Sequence, residues 1–472
     1  MASTTISGIN SGLDIQSIVS SLVAAEKAPK ESQLARLERA TTAKITGVGQ
    51  LKSAIADLQS ALKDLNKPEL FSKRTATSSD SKLVSATTTQ AALAGTYKID
   101  VERLASSSKV ATAAINGTSS TTFASGGTLT IKLGATDLAP VNIAANASLK
   151  DIRDAINTQL KDKGVTANIV TDSSTSPATS RLVLASAKTG DDANLGMTGT
   201  GDLAALDIAQ YDPDSGIPPV ANVHLSVAAN ARFSIDGLAM ESASNSVADS
   251  IEGVTLNLVA PTEANKPITL TVDKDTAGVK ANIQKFVDAY NKLISTTSSL
   301  TAVTKVGEDK APVTGALVGD ASVRTLLSSV RNELVKASGD GGIRILADLG
   351  ITTQQDGTLK IDEAKLGKAL TENYESVASF FTGDSGLMGR LNAKLDPYTQ
   401  TGGVLEQRMT GLNGTMKSVD EQREALDRRV EQLQTRLLAQ FNAMDSLVGQ
   451  LNQTSSRMEQ AFKSLPGLVK SS

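Results

Sequence analysis

A chain of 472 residues exceeds what one hydrophobic core supports and calls for roughly three or four compact units. Apolar residues make up 40% but aromatic ones only 3%, with no Trp, so the cores are aliphatic and suit helices and small sandwiches better than aromatic-lined pockets. Lys plus Arg number 47 against 50 acidic residues, which leaves no basic field for nucleic acid or anionic membrane, and the lack of Cys removes disulfides, thiolate nucleophiles and thiolate metal sites.

The chain opens with Ser7-Gly8-Ile9-Asn10-Ser11-Gly12-Leu13-Asp14, a flexible lead ending at a good helix N-cap, Asp14. Ile15, Ile18, Val19, Leu22 and Val23 then fall on one helical stripe that wants a partner surface. The apolar run Ile15 to Ala25 is a poor signal peptide, because the first basic residue, Lys27, follows it; it is also too short to span a bilayer. No other segment approaches the ~20 apolar residues a membrane span needs, so no membrane insertion is expected. Zero Cys fits an exported protein, and export would use a route that reads an uncleaved end.

Pro29 is expected to interrupt or restart the helix. From Leu34 a heptad seam develops through Leu37 and, after a polar gap at Thr41 and Lys44, through Val48, Leu51, Ile55, Leu58, Leu62 and Leu65. Gly47 and Gly49 predict a hinge or fraying, and Pro68 ends the run. Residues 76–92 are a polar Ser/Thr stretch, after which alternation predicts strands at 95–101, 128–133, 167–171, 182–185, 231–235, 254–258 and 268–272, with a short helix at 149–160. Helical spacing resumes with Val279, Ile283, Phe286, Val287, Tyr290 and Leu293, and again over 322–337. A turn and short strand lead to Asp362, placed to cap the next helix. Beyond Gly411 and Gly414 a second, longer seam spans about 415–462, interleaving Met416, Val419, Arg423, Leu426, Val430, Leu433, Leu437, Gln440, Met444, Leu447, Leu451 and Met458. Two long seams at opposite ends suggest terminal helices that pair with each other or with neighbouring subunits.

Chemistry has little to stand on. His224 is the single histidine, on an alternating segment beside Val223 and Leu225, and reads as a surface strand residue. Gly199-Thr200-Gly201-Asp202-Leu203-Ala204 matches a dinucleotide fingerprint as letters but follows a polar stretch, so it reads as a loop. Asp212-Pro213-Asp214-Ser215-Gly216 resembles a calcium loop whose Gly comes one place early and which has Val223 in place of the bidentate Glu. No catalytic residue, metal site or cofactor is assigned, and a structural role is favoured over an enzyme.

The segments Gly8 through Val19 and Leu22-Val23-Ala24-Ala25-Glu26-Lys27-Ala28-Pro29 resemble, nearly position for position, the opening motif of the flagellar filament cap family, also called hook-associated protein type two. Gly95–Ala105, Phe233–Gly237, Gly253–Leu256, Phe286–Asn291, Gly315–Asp320 and Leu349–Leu359 resemble later family blocks in order and spacing. Residues 106–227 are the least family-specific part. The resemblance implies a multidomain α+β fold in which paired terminal coiled-coil helices and a helical leg enclose two nested, mainly antiparallel β head domains. The expected regions are 1–40 plus 425–472, flexible in the free subunit; 41–75 plus 278–424 as leg; 76–105 plus 228–277 as inner head; and 106–227 as outer head.

The implied function is an extracellular assembly factor at the flagellum tip, retaining exported flagellin and promoting its folding and insertion. Its implied partners are further copies in a homo-oligomeric ring of about five or six subunits, flagellin at the filament end and a flagellar export chaperone. Leu13, Ile15, Ile18, Val19, Leu22 and Val23, with Leu433, Leu437, Met444 and Leu451, are the expected filament-docking residues. Val48, Leu51, Ile55, Leu58, Leu62 and Leu65, with Val419, Leu426 and Val430, are the expected leg seam. Two other readings stay open: another axial protein such as flagellin or a hook-filament junction protein, and a secreted tip adhesin binding host surface glycans.

Overall fold

The computed structural model describes residues 11–305, 307, 311–337 and 342–464; positions 7–10 of the opening motif, and both chain ends of the expected terminal region, lie outside them. The chain forms two compact units, one of Met1–Leu70 with Thr276–Ser472, the other of Phe71–Asp275. It is mixed α and β, and every strand pairing between its named strands is antiparallel.

The N-terminal helix α1 spans Ile15–Leu65, begun by Asp14, whose carboxylate accepts from the Ser17 N–H at 3.0 Å. It runs unbroken through Pro29. Proline removes one helical hydrogen bond, but Ala25, whose carbonyl loses its partner, lies on the solvent side where water replaces it. The polar gap is closed from within, since the buried Thr41 donates its hydroxyl to the Leu37 carbonyl at 2.8 Å. Gly47 is no hinge. A Cβ there would stand 3.1 Å from both Ala316 Cβ and the Leu300 side chain, so the glycine permits close helix approach.

One turn, α2 (Pro68–Ser72), precedes the strand-rich unit. A five-stranded sheet orders 74–78, 268–274, 95–103, 231–235 and 238–242, and a three-stranded one orders 246–251, 254–258 and 84–88. Between them Val84, Ile99, Val101, Phe233, Leu256 and Leu270 form one apolar core. The Ser/Thr stretch therefore carries two strands, hidden in the sequence because alternate positions are Thr, Ser and Ala.

A second core gathers Leu129, Ile131, Ile152, Ile156, Leu184 and Leu195 around α3 (Leu149–Leu160), which a Ser148–Asp151 capping box begins. Asp191 and Asn230 exchange backbone N–H to side-chain bonds of 3.0 Å, fixing the return of the insertion to the inner sheet. The dinucleotide-like letters follow a true strand, Leu195–Gly199, and fold as a short 3-10 segment, Gly201–Leu206. His224 accepts the Val220 N–H on Nδ1 and bonds the Ala209 carbonyl through Nε2, both at 2.9 Å, while its ring tilts against Tyr211. The imidazole staples a surface loop.

In the helical unit follow α4 (Thr276–Thr301), α5 (Ala321–Val335), α6 (Glu363–Glu372), α7 (Tyr374–Phe381), α8 (Leu387–Thr399) and α9 (Val404–Ser464). Asn291 on α4 clamps the hairpin 351–361, donating to the Leu359 carbonyl at 2.9 Å and accepting its N–H at 2.7 Å. Tyr290, its ring buried, donates to the Gly357 carbonyl at 3.0 Å. Asp362 caps α6 as the sequence suggests, accepting from Ala364 and Lys365 at 3.1 Å. The 61-residue α9 starts well before Gly411 and Gly414 and passes through both, because Leu405 is buried upstream and neither glycine meets a neighbour.

Candidate functional site

The candidate site is the stem formed where the first half of α1 lies antiparallel to α9. Antiparallel pairing is read from four contacts: Thr42 against Met416, Glu38 against Arg423, Glu26 against Arg429, and Ser11 against Asp445. The ion pairs Arg423–Glu38 at 2.5 Å, Lys27–Asp427 at 2.9 Å and Arg429–Glu26 at 3.3 Å flank the apolar contact. The Asp427 carboxylate, by hydrogen bond and charge, holds the Lys27 ammonium above the ordinary lysine range. Each pair is exposed enough that its net contribution is small.

Inside the stem Ile15, Val19 and Val23 are buried, packed by Val430, Leu433, Leu437, Leu438 and Phe441, which stay partly open. Of the ten expected docking residues, the structure thus brings together Ile15, Val19, Val23, Leu433 and Leu437 in a contact within one chain. Ile18 is half-buried on the flank, whereas Leu13, Leu22, Met444 and Leu451 face solvent.

The nine expected seam residues divide in two. Val48, Leu51, Ile55, Leu58, Leu62 and Leu65 are buried in a helix bundle in which Asp57 pairs with Lys292 of α4 at 2.7 Å and Gln59 donates to Asp396 of α8 at 2.8 Å. Val419, buried, and Leu426 and Val430, half-buried, lie further along α9 and face the earlier part of α1. One long seam in the sequence thus serves two partners, because α9 begins beside Val48 and Leu51 and runs from there along the earlier part of α1. At the junction Leu405 and Arg408 of α9 meet Val48 and Leu51, and Arg408 pairs with the buried Asp320, which also caps α5.

Two surface features remain. A groove of about 320 Å³ between the stem helices is lined by Glu26, Lys30, Ala425, Leu426, Arg429 and Leu433. Past the cover of α1, α9 continues with every residue from Gln450 to Ser464 exposed, including Leu451, Met458 and Phe462 at 53 to 65%. Sequence reasoning named Leu451 but passed over Phe462 and Asp445; the latter is buried on this helix and was legible only as a lone charge between Met444 and Leu447. No helix among the described residues is long and apolar enough to cross a membrane.

Comparisons with known proteins agree along the whole chain. Models for the flagellar hook-associated protein 2 N-terminus and C-terminus match residues 11–108 and 228–453, and a flagellin hook IN motif matches 128–188. The A-type flagellar hook-associated protein 2 of Pseudomonas aeruginosa is 58% identical over 100% of this chain and 99% of its own. The flagellar hook-associated protein 2 of Escherichia coli is 35% identical over 98% and 99%. A crystal structure of the D1, D2 and D3 domains of the E. coli flagellar cap protein FliD superimposes with a TM-score of 0.59 at 33% identity, covering 78% of this chain and 99% of that one. The chain belongs to the flagellar hook-associated protein 2 family.

Proposed function

We propose that this chain caps the distal end of the flagellar filament, retains exported flagellin there and promotes its folding and insertion. The observation that carries the reading is the stem: its inner stripe is already buried within the chain, while α9 presents a further apolar stripe, Leu447, Leu451, Met458 and Phe462, to solvent. Apolar surface arranged on one helical face is what a filament subunit built from helices would cover. Leu13, Leu22, Met444 and Leu451 are then outward docking residues, and Ile15, Val19, Val23, Leu433 and Leu437 act by holding the stem together.

In this reading the terminal region 1–40 plus 425–472 docks weakly and yields as each flagellin inserts, the leg 41–75 plus 278–424 carries it, and the heads 76–105 plus 228–277 and 106–227 meet neighbouring copies in a ring of about five or six subunits. The protein would reach the tip through the flagellar export apparatus with its N-terminus uncleaved, an export chaperone shielding the α9 stripe beforehand. The role is structural, without catalysis.

The combined substitution Met444→Glu and Leu451→Glu tests the docking face. It should abolish filament growth and release flagellin into the medium, with the circular dichroism and melting of the purified chain unchanged. Normal swimming by this variant would sink the assignment.

A further inference from the structure

The segment from Asp212 to Asn222 is exposed at every position and carries the run Ile217-Pro218-Pro219-Val220. Just before it the chain is well tied: Ile208 exchanges both backbone bonds with Met197, and Gln210 donates to the Gly134 and Asn194 carbonyls at 2.8 Å. From Asp212 to Ile217 the hydrogen bonds close within the segment, with Asp214 and Ser215 bonding back to Asp212 and the Ile217 N–H donating to the Ser215 hydroxyl. Pro218 and Pro219 have no N–H to give. The next donor along the chain is the Val220 N–H, and it goes to His224.

His224 and Val220 hold each other twice. The Val220 N–H donates to Nδ1 at 2.9 Å, and the His224 N–H donates to the Val220 carbonyl at 2.9 Å. A backbone N–H can only donate, and the Ala209 carbonyl, 2.9 Å from Nε2, can only accept, so the ring is neutral with its proton on Nε2. A second proton can enter only at Nδ1, where it would face the Val220 N–H, donor against donor. The turn itself does not depend on that proton: its backbone bond remains, and the Val223 carbonyl still accepts the Ala111 N–H at 2.8 Å.

The titratable groups on the segments packed around the ring are Tyr211, tilted against it, Lys109 on the paired strand, Arg181, which donates to the Thr112 and Asn222 carbonyls, Asp207, which accepts the Gly199 N–H, and Asp212 and Asp214 of the segment itself. Both imidazole nitrogens bond main chain instead, so protonation acts on Val220 directly.

We propose that His224 is an acid-released clasp: a proton on Nδ1 breaks the bond to Val220 and frees residues 212–219, with Ile217 67% exposed among them, while the 220–224 turn and the strands behind it stay in place. Imidazole is the side chain that ordinarily changes charge between about pH 5 and 8. The chain has one. The bond is present where the ring is neutral and is lost as the pH falls through that range. The apolar strip Ile217–Val220 is thereby presented in a fixed shape in neutral surroundings and a loose one in mild acid.

The chain contains no Cys, so a nitroxide on Ile217→Cys in the full chain reports this segment alone, and one on Val170→Cys, exposed on the strand 165–172, reports the sheet. Electron paramagnetic resonance spectra are compared at about pH 8 and about pH 5. The label at 217 should tumble several-fold faster in acid, with the label at 170 unchanged. His224→Asn keeps an acceptor near the place of Nδ1 but takes no proton, so it should hold the label restrained at both pH values. His224→Phe keeps a ring against Tyr211 without an acceptor and should leave the label mobile at both. A parent label at 217 that moves alike at the two pH values would overturn the clasp. So would an acid response that survives in His224→Asn, which would assign it to Asp212 or Asp214, or equal loosening at 170, which would make it a general acid effect on the sheet.

Discussion

The outer core of the strand-rich unit and the terminal stem are built from the same aliphatic residues, yet they hold together differently. Around α3, residues such as Leu129, Ile131, Ile152, Leu182, Leu184 and Leu195 are fully buried on every side. At the outer end of the stem Ile15, Val19 and Val23 of α1 are buried, and the five residues that face them on α9 are only partly covered. A closed core gains the full transfer energy of each side chain and leaves no room for rearrangement. A two-helix contact gains a fraction of that and opens at low cost. The difference assigns permanence to one region and reversibility to the other.

Matched truncations give the largest test of this contrast. Leu184→Ala should destabilise the strand-rich unit by about 2–5 kcal/mol, read from denaturant unfolding. Ile15→Ala should cost the stem only about 1–2 kcal/mol, since the half-open partners across the seam can close on the gap; amide exchange along α1 would report it. Equal global losses from both would erase the distinction.

Gly47 offers a finer probe, inside the bundle that carries the stem. Ala at this site adds helix propensity worth about 1 kcal/mol but presses on Ala316 and Leu300, and overpacking of this kind typically costs about 1–3 kcal/mol. A small net loss of stability is expected, and a gain would show that the bundle yields where the outer core would not.

Salt and pH should separate the regions further, with smaller effects. The three stem ion pairs are exposed, so 0.5 M salt should speed amide exchange in the first half of α1 and leave the buried strands unaffected. Lys27 is held above its ordinary value of 10.5, so its contribution is fully present below that pH and is lost as the pH rises through the raised value. In the strand-rich unit Asp151, held down by Ser148, and Asp202, held down by Ser125, behave oppositely: their contribution is present above 3.8 and is lost as the pH falls through the lowered values. Alkaline loosening confined to the stem and acid loosening at Ser148 and Ser125 would sharpen the comparison; the reverse would break it.

Much of this was legible in residue spacing. The stripe at Ile15, Val19 and Val23, the α3 helix, the cap at Asp362 and the strands at 231–235 and 254–258 follow from periodicity and capping chemistry alone. The strands at 74–78 and 84–88 were hidden because Thr and Ser occupy positions where burial rather than hydrophobicity completes the sheet. Pro29, Gly47, Gly411 and Gly414 read as breaks because single-residue propensities are weak, and packing on either side outweighs them. Periodicity marks a face but does not say which helix covers it, so a single seam on α1 gave no sign of its two partners.

Ser11 and Asp445 are separated by 434 positions along the chain. A chain delivered from its N-terminus therefore presents one half of the stem first and the other half nearly last, whereas Phe71–Asp275 is contiguous and complete well before the end. Folding order follows from that separation: the strand-rich unit can fold once its own segment has emerged, and α1 must wait for α9. The stem is thus a mark of completed delivery, because no truncated chain that stops short of α9 can form it.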